Sequence, residues 1–159
     1  MENYNTYILI ALFSIGATIF YVLSSIERSC LPIVFNPKKE NVSETNIRLT
    51  HSTLKRLTPL LPPSYGVVVL GGIFTLFYQS FHLGWSMPSI IILALYFIIT
   101  LYTLLIVKVG SAVLLVKKED SFSGDLHKVK YGVKRLIISH HWGLIANLIV
   151  LLLEFFLIV

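Results

Sequence analysis

Residues 139–159 read SHHWGLIANLIVLLLEFFLIV, an apolar run that decides the fold class. A hydrocarbon core about 30 Å thick is crossed by about 20 helical residues, so this run is long enough to span a membrane. It lacks the alternation of polar and apolar residues that a membrane strand would show, which predicts a helix. Its exception is Glu154, a carboxylic acid close to the end of the run.

Three further apolar runs are long enough, or nearly so, to cross a bilayer. They cover residues 7–26, 65–81 and 88–107. The composition agrees, because 55% of the 159 residues are hydrophobic and only 13% are charged, too few to cover a soluble surface. The sequence therefore predicts one membrane domain over residues 1–159, an all-α four-helix bundle with loops at 27–64 and 108–138.

All thirteen Lys and Arg residues lie in or at the ends of these two loops, and none lies on the opposite side of the predicted bundle. Basic residues are retained on the cytoplasmic side of membranes. We therefore expect a plasma or inner membrane protein with cytoplasmic loops and with both termini outside. The basic residues would contact anionic lipid headgroups, and since no nucleic-acid motif accompanies them, we expect no nucleic-acid partner.

The two loops also carry amphipathic patterns. Ile47, Leu54 and Leu57 predict a short surface helix in the first loop. In the second loop, residues 123–138 read SGDLHKVKYGVKRLII and place apolar side chains on one face and basic side chains largely on the other. This pattern predicts an interfacial amphipathic helix that leads into the fourth span.

Each predicted span carries polar residues at three- and four-residue spacing, which places them on one face of a helix. In the fourth span, His140, Asn147 and Glu154 form such a stripe, with Gly143 beside it. Because unpaired polar groups are unfavourable in hydrocarbon, we expect every stripe to face inward. The other stripes are Ser14, Thr18, Tyr21 and Ser25; Gly72, Thr75, Gln79 and His82; and Tyr96, Thr100 and Thr103.

Several stripe residues fall at a similar depth near the outer surface. We expect them to form an outward-facing polar cleft for a ligand or a proton, lined by Ser14, Thr75, Gln79, His82, Tyr96 and Glu154. A carboxylic acid inside a membrane indicates proton transfer, cation binding or a subunit contact, and the alternative is a hydrogen-bonded structural acid. His82 would belong to the site only if it meets Glu154, and would otherwise be an ordinary interfacial residue.

The histidines offer weak candidates for a metal site, namely His140, His51 and His127. Since the sequence has no His pair four residues apart on a helix and no Cys-x-x-Cys motif, hydrogen bonding to headgroups or backbone is the better interpretation. A bis-histidine haem is not indicated, because no histidine falls deep within a span. The cofactor is therefore unknown, with none favoured. Cys30 is the only cysteine, so an internal disulfide is excluded.

A family resemblance covers most of the chain. The stretches IALFSIGATIFYVLSS (10–25) and VVVLGGIFTLF (67–77), a short turn with Trp85 and a closing helix after a basic segment carry it. Together they resemble the four-helix unit of copper-resistance-D-like and related haem-pathway membrane proteins. The resemblance implies the four-helix architecture.

Three interpretations of function follow. The first is a non-catalytic helical subunit or accessory protein, with other membrane subunits or a second copy of the chain as partners. The second is a membrane-embedded redox or quinone- or haem-related enzyme, and the third is a small proton-coupled carrier that uses Glu154. The first is favoured because the sequence has no recognisable catalytic motif, and enzymatic activity is left uncertain.

Overall fold

The computed structural model describes residues 2–35, 42–57, 59–83, 87, 90–98, 101 and 126–158. All regular secondary structure in these residues is helical, which confirms the predicted all-α class. The elements are α1 (Glu2–Glu27), a 3₁₀ turn (Arg28–Cys30), α2 (Pro32–Phe35), α3 (Glu44–Leu57), α4 (Leu61–Leu83), α5 (residues 90–98) and α6 (Leu126–Ile158).

Three helices of the described chain are long and apolar enough to cross a membrane: Tyr4–Cys30, Pro63–His82 and Leu126–Phe156. They contain the predicted spans 7–26 and 65–81 and most of 139–159. The predicted span 88–107 is helical over residues 90–98, while much of the remainder, with Thr100 and Thr103, lies outside the described residues. The four-helix bundle therefore stays a prediction.

Local sequence explains where several helices begin. The hydroxyl of Ser43 accepts a hydrogen bond from the backbone N–H of Asn46 at 3.2 Å, which is the side-chain cap expected before α3. Proline is tolerated in the first turn of a helix, because the amide that it lacks would have no partner there. Both α2 and α4 contain such a proline: Pro32 is the first residue of α2, and Pro63 lies in the first turn of α4.

α1 is the central helix of the membrane layer, and it packs antiparallel against both α6 and α4. On α6, Gly143 faces Phe20, and a Cβ atom at Gly143 would lie 2.5 Å from the Phe20 ring. The absence of a side chain thus lets the ring reach the α6 backbone. Seven residues away from Phe20, on the same face of α1, Phe13 makes an edge-to-face contact with Tyr96 of α5, at 4.8 Å between ring centroids.

A second apolar cluster lies beside the membrane layer, and we call it the juxtamembrane cluster. It joins the 3₁₀ turn, α2, α3 and the first half of α6 through Cys30, Ile33, Ile47, Val133 and Ile137. α3 matches the short helix predicted in the first loop. Its contacts keep Cys30 fully buried, with the sulfur 3.2 Å from the hydroxyl of Thr50.

α6 differs from the expectation of a separate interfacial helix. It runs unbroken over 33 residues, which is about 50 Å of helix and well beyond the ~30 Å of a hydrocarbon core. The apolar face of its first half is covered by α2 and α3, with Val133 and Ile137 buried. Because α2 and α3 cover that face, the first half of α6 does not need to lie on a lipid surface. The helix continues without a break into the span.

Candidate functional site: buried polar groups between α1 and α6

The polar stripe of α6 faces inward, as the spacing predicts. Asn147 and Glu154 are buried, and the His140 side chain is 11% exposed. Asn147 fits because the facing residue on α1 is Gly16: a Cβ there would lie 2.5 Å from the Asn147 side-chain oxygen. The amide nitrogen of Asn147 donates to the carbonyl of Gly143 at 2.7 Å and to the hydroxyl of Tyr65 at 3.4 Å.

Glu154 is the most unusual group of the stripe, because its side chain is 0% exposed. Both of its carboxylate oxygens are buried, and neither has a hydrogen-bond partner in the part of the chain that the structure describes. Asn147 faces Gly16 in an antiparallel pair, so seven residues further along α6 Glu154 lies at the depth of Leu9. Glu154 is therefore enclosed in the membrane layer and does not line an open cleft.

Three other residues of the predicted cleft are also interior. Thr75, Gln79 and Tyr96 are buried. The hydroxyl of Thr75 donates to the carbonyl of Gly71 at 2.8 Å, and that of Tyr96 donates to the carbonyl of Val68 at 2.8 Å. These two hydroxyls are thus engaged with α4 backbone.

Ser14 and His82, by contrast, do not join this group. Both residues are exposed, and the His82 ring packs on Tyr78 with 4.2 Å between ring centroids. Among the described residues no ion pair or hydrogen bond connects His82 to Glu154. The structure therefore buries Thr75, Gln79, Tyr96 and Glu154 and leaves Ser14 and His82 at the surface.

The whole polar stripe of α1 faces outward, against the expectation. Ser14, Thr18, Tyr21 and Ser25 are exposed. Thr18 donates to the carbonyl of Ser14 at 2.8 Å, and Ser25 donates to the carbonyl of Tyr21 at 3.0 Å. Because these two hydroxyls are satisfied within their own helix, hydrogen bonding does not draw the stripe inward. The apolar face with Leu9, Phe13 and Phe20 is buried instead.

A buried contact that the sequence interpretation missed joins the other end of α1 to α6. Nδ1 of His140 lies 2.7 Å from Oε1 of Glu27, whose side chain is 0% exposed. The second oxygen of Glu27 and the hydroxyl of Ser24 are buried without a hydrogen-bond partner among the described residues. One signal was available: Glu27 follows the first span and His140 begins the fourth, so both were expected at the same membrane surface.

The weak metal candidates are scattered. His140 contacts Glu27, His51 is buried in α3, and His127 is exposed at the start of α6. Within the described ranges no three His, Cys, Asp or Glu side chains come together as metal ligands would. The geometry of these residues thus gives no support to a metal site.

No protein-family model, curated protein or solved structure matches the chain. The resemblance to copper-resistance-D-like proteins therefore stays a prediction.

Proposed function

We propose that this chain is a non-catalytic helical subunit or accessory protein of a membrane complex. The observation that supports this most directly is the outward stripe of α1, formed by Ala11, Ser14, Thr18, Tyr21 and Ser25, all of which are exposed. Small and hydroxyl-bearing residues at this spacing are enriched where membrane helices pack against each other, because they allow backbones to approach closely.

The exposed face of α4 differs from this stripe. The exposed face of α4 carries bulky side chains that suit contact with lipid tails, such as Leu70, Phe74 and Phe81, each at least 70% exposed. A face that meets only lipid gains nothing from small residues. The stripe of α1 is therefore the better surface for a partner helix, supplied by another subunit or by a second copy.

The same proposal includes an orientation. The described basic residues of α3 and of the first half of α6 lie around the juxtamembrane cluster: Arg48, Lys55, Arg56, Lys128, Lys130, Lys134 and Arg135. Under the positive-inside rule this cluster is cytoplasmic and both termini are outside, in a plasma or inner membrane. Anionic headgroups on that side are then the partners of the basic side chains.

Site-specific photo-crosslinking in native membranes tests the subunit proposal. A photoreactive residue is introduced separately at Ser14, at Thr18 and, as the matched control, at Leu70 of the lipid-facing side of α4. We expect one discrete adduct of the same mass from Ser14 and Thr18 and none from Leu70. The adduct mass separates a second copy from a different subunit.

Two results would contradict the proposal. Equal crosslinking from Leu70 and the two stripe positions would show that the stripe is not a specific contact surface. A stoichiometric haem or flavin absorbance in the purified protein would favour the redox enzyme instead.

A further inference from the structure

Glu154 poses a separate question from the subunit contact, because it lies on the side of the bundle opposite to the outward stripe of α1. An ionised carboxylate without a partner is strongly destabilising in an apolar interior, with an effective cost of several kcal/mol. Both oxygens of Glu154 are nevertheless buried and unpartnered among the described residues. A buried, unpaired acid of this kind calls for an occupant that neutralises its charge.

The surrounding helices supply no cation. α1 has no charged residue between positions 4 and 26. On α4 the nearest titratable groups are Tyr78 and His82, which are both exposed, and on α5 the hydroxyl of Tyr96 donates to the Val68 carbonyl. Along α6 itself the next titratable side chain is His141, thirteen residues away or about 20 Å. No described side chain thus offsets a negative charge on Glu154.

Polar groups do lie on the outer side of Glu154. Gly16 faces Val68 in the antiparallel pair of α1 and α4, so Leu9, and with it Glu154, has the depth of Thr75. Gln79 and Ser80 follow on α4 about 6–8 Å further out, and both are buried. The hydroxyl of Ser80 is itself unpartnered within the described residues. These groups lie between the carboxyl group and the outer end of α4.

We propose that Glu154 is a proton-binding site: its carboxyl group holds a proton inside the bundle and exchanges it with the outer aqueous phase past Gln79 and Ser80. Release breaks the O–H bond of the acid, leaves a carboxylate and passes the proton to water. The proposal does not depend on the subunit function, because the crosslinking experiment concerns the opposite face of α1.

Labelling with dicyclohexylcarbodiimide tests this proposal in the full-length protein reconstituted into liposomes. This apolar reagent is protonated by an acid within the membrane, the resulting carboxylate adds to it, and the adduct rearranges to a stable N-acylurea. Peptide mass spectrometry is expected to place the label on Glu154, with an extent that falls as the pH is raised. Glu154→Gln should lose that label completely.

Glu27 provides the matched control, because it is equally buried but pairs with His140. It should remain unlabelled in the same experiment. Labelling that does not vary with pH would overturn the proposal. Protection of Glu154 by Na⁺ at constant pH would also overturn it, since the occupant would then be an alkali cation.

If dicyclohexylcarbodiimide does not reach Glu154, infrared spectroscopy tests the proposal instead. The difference spectrum between wild type and Glu154→Gln should contain the C=O band of a protonated carboxylic acid, which disappears at high pH. Absence of that band at every pH would overturn the proposal. Retained protection of the buried Cys30 against maleimide shows that the Gln variant is folded.

Discussion

The contact between Glu27 and His140 is expected to affect the free energy of unfolding strongly for a single pair of residues. Glu27 is fully buried, so its carboxyl group has lost its hydration, and Nδ1 of His140, at 2.7 Å from Oε1, is its partner in the structure. A buried pair of this kind often stabilises the protein no more than two apolar side chains of similar volume would. The loss of one member, however, leaves the other buried without a partner. The two single variants and the double variant should therefore behave very differently.

His140→Ala is expected to lower the free energy of unfolding by about 3–5 kcal/mol, because it leaves Glu27 buried and unpaired. Thermal unfolding of the purified protein in a mild detergent measures this loss. The double variant Glu27→Leu with His140→Leu should recover most of it. His82→Ala, at an exposed ring, should change stability by less than about 0.5 kcal/mol. Equal effects of the two His variants would contradict the interpretation of the pair as buried.

The burial of some polar residues could be predicted from the sequence, but their contact partners could not. His140, Asn147 and Glu154 share a face at seven-residue spacing, and the structure buries that face as expected. The partner of His140 was not predictable from spacing, because Glu27 lies 113 positions earlier in the chain. Contacts between distant segments depend on which helices are neighbours, and a stripe on one helix does not specify that.

At the scale of helices, α1 shows why a polar stripe does not determine which face is buried. Hydroxyl side chains satisfy themselves on the preceding turn, so a stripe of Ser and Thr is compatible with lipid or with protein. In α1 the buried face is the one that carries Phe13, which packs against Tyr96, and Phe20, which packs closely on Gly143. These contacts involve facing helices, and a pattern within one helix does not reveal them.

Gly143→Ala tests the close approach of α1 and α6. The added methyl group would lie 2.5 Å from the Phe20 ring, and relief of this overlap is expected to cost about 1–3 kcal/mol of stability. Gly66→Ala is the matched control on α4, since nothing lies within 4 Å of the position of its Cβ. That variant should be neutral or slightly stabilising. Thermal unfolding of both variants measures the difference, and equal effects would contradict the tight contact.

For the molecule as a whole, hydropathy predicts the membrane class and three of the spans well, because apolar length is a property of the sequence alone. It does not predict that α6 extends beyond the membrane layer. That extension depends on α2 and α3 covering Val133 and Ile137, and the same amphipathic pattern would also suit a lipid surface.

The proposed orientation can be measured with single cysteines in a Cys30→Ser background. Thr45→Cys lies on the exposed side of α3, and Met87→Cys is at an exposed position after α4. A membrane-impermeant maleimide added to intact cells should label Met87→Cys only, because the positive-inside rule places α3 in the cytoplasm. Both positions should be labelled once the cells are permeabilised. Labelling of Thr45→Cys in intact cells would reverse the orientation.

The distance in sequence between Glu27 and His140 also matters while the chain is being made. At about 5–20 residues per second, the ribosome adds His140 roughly 6–23 s after Glu27. During that interval α1 and α4 can already pair, while the Glu27 carboxylate still lacks its histidine. The nascent bundle must therefore keep the Glu27 end of α1 hydrated until α6 arrives, so docking of α6 is the step that buries Glu27.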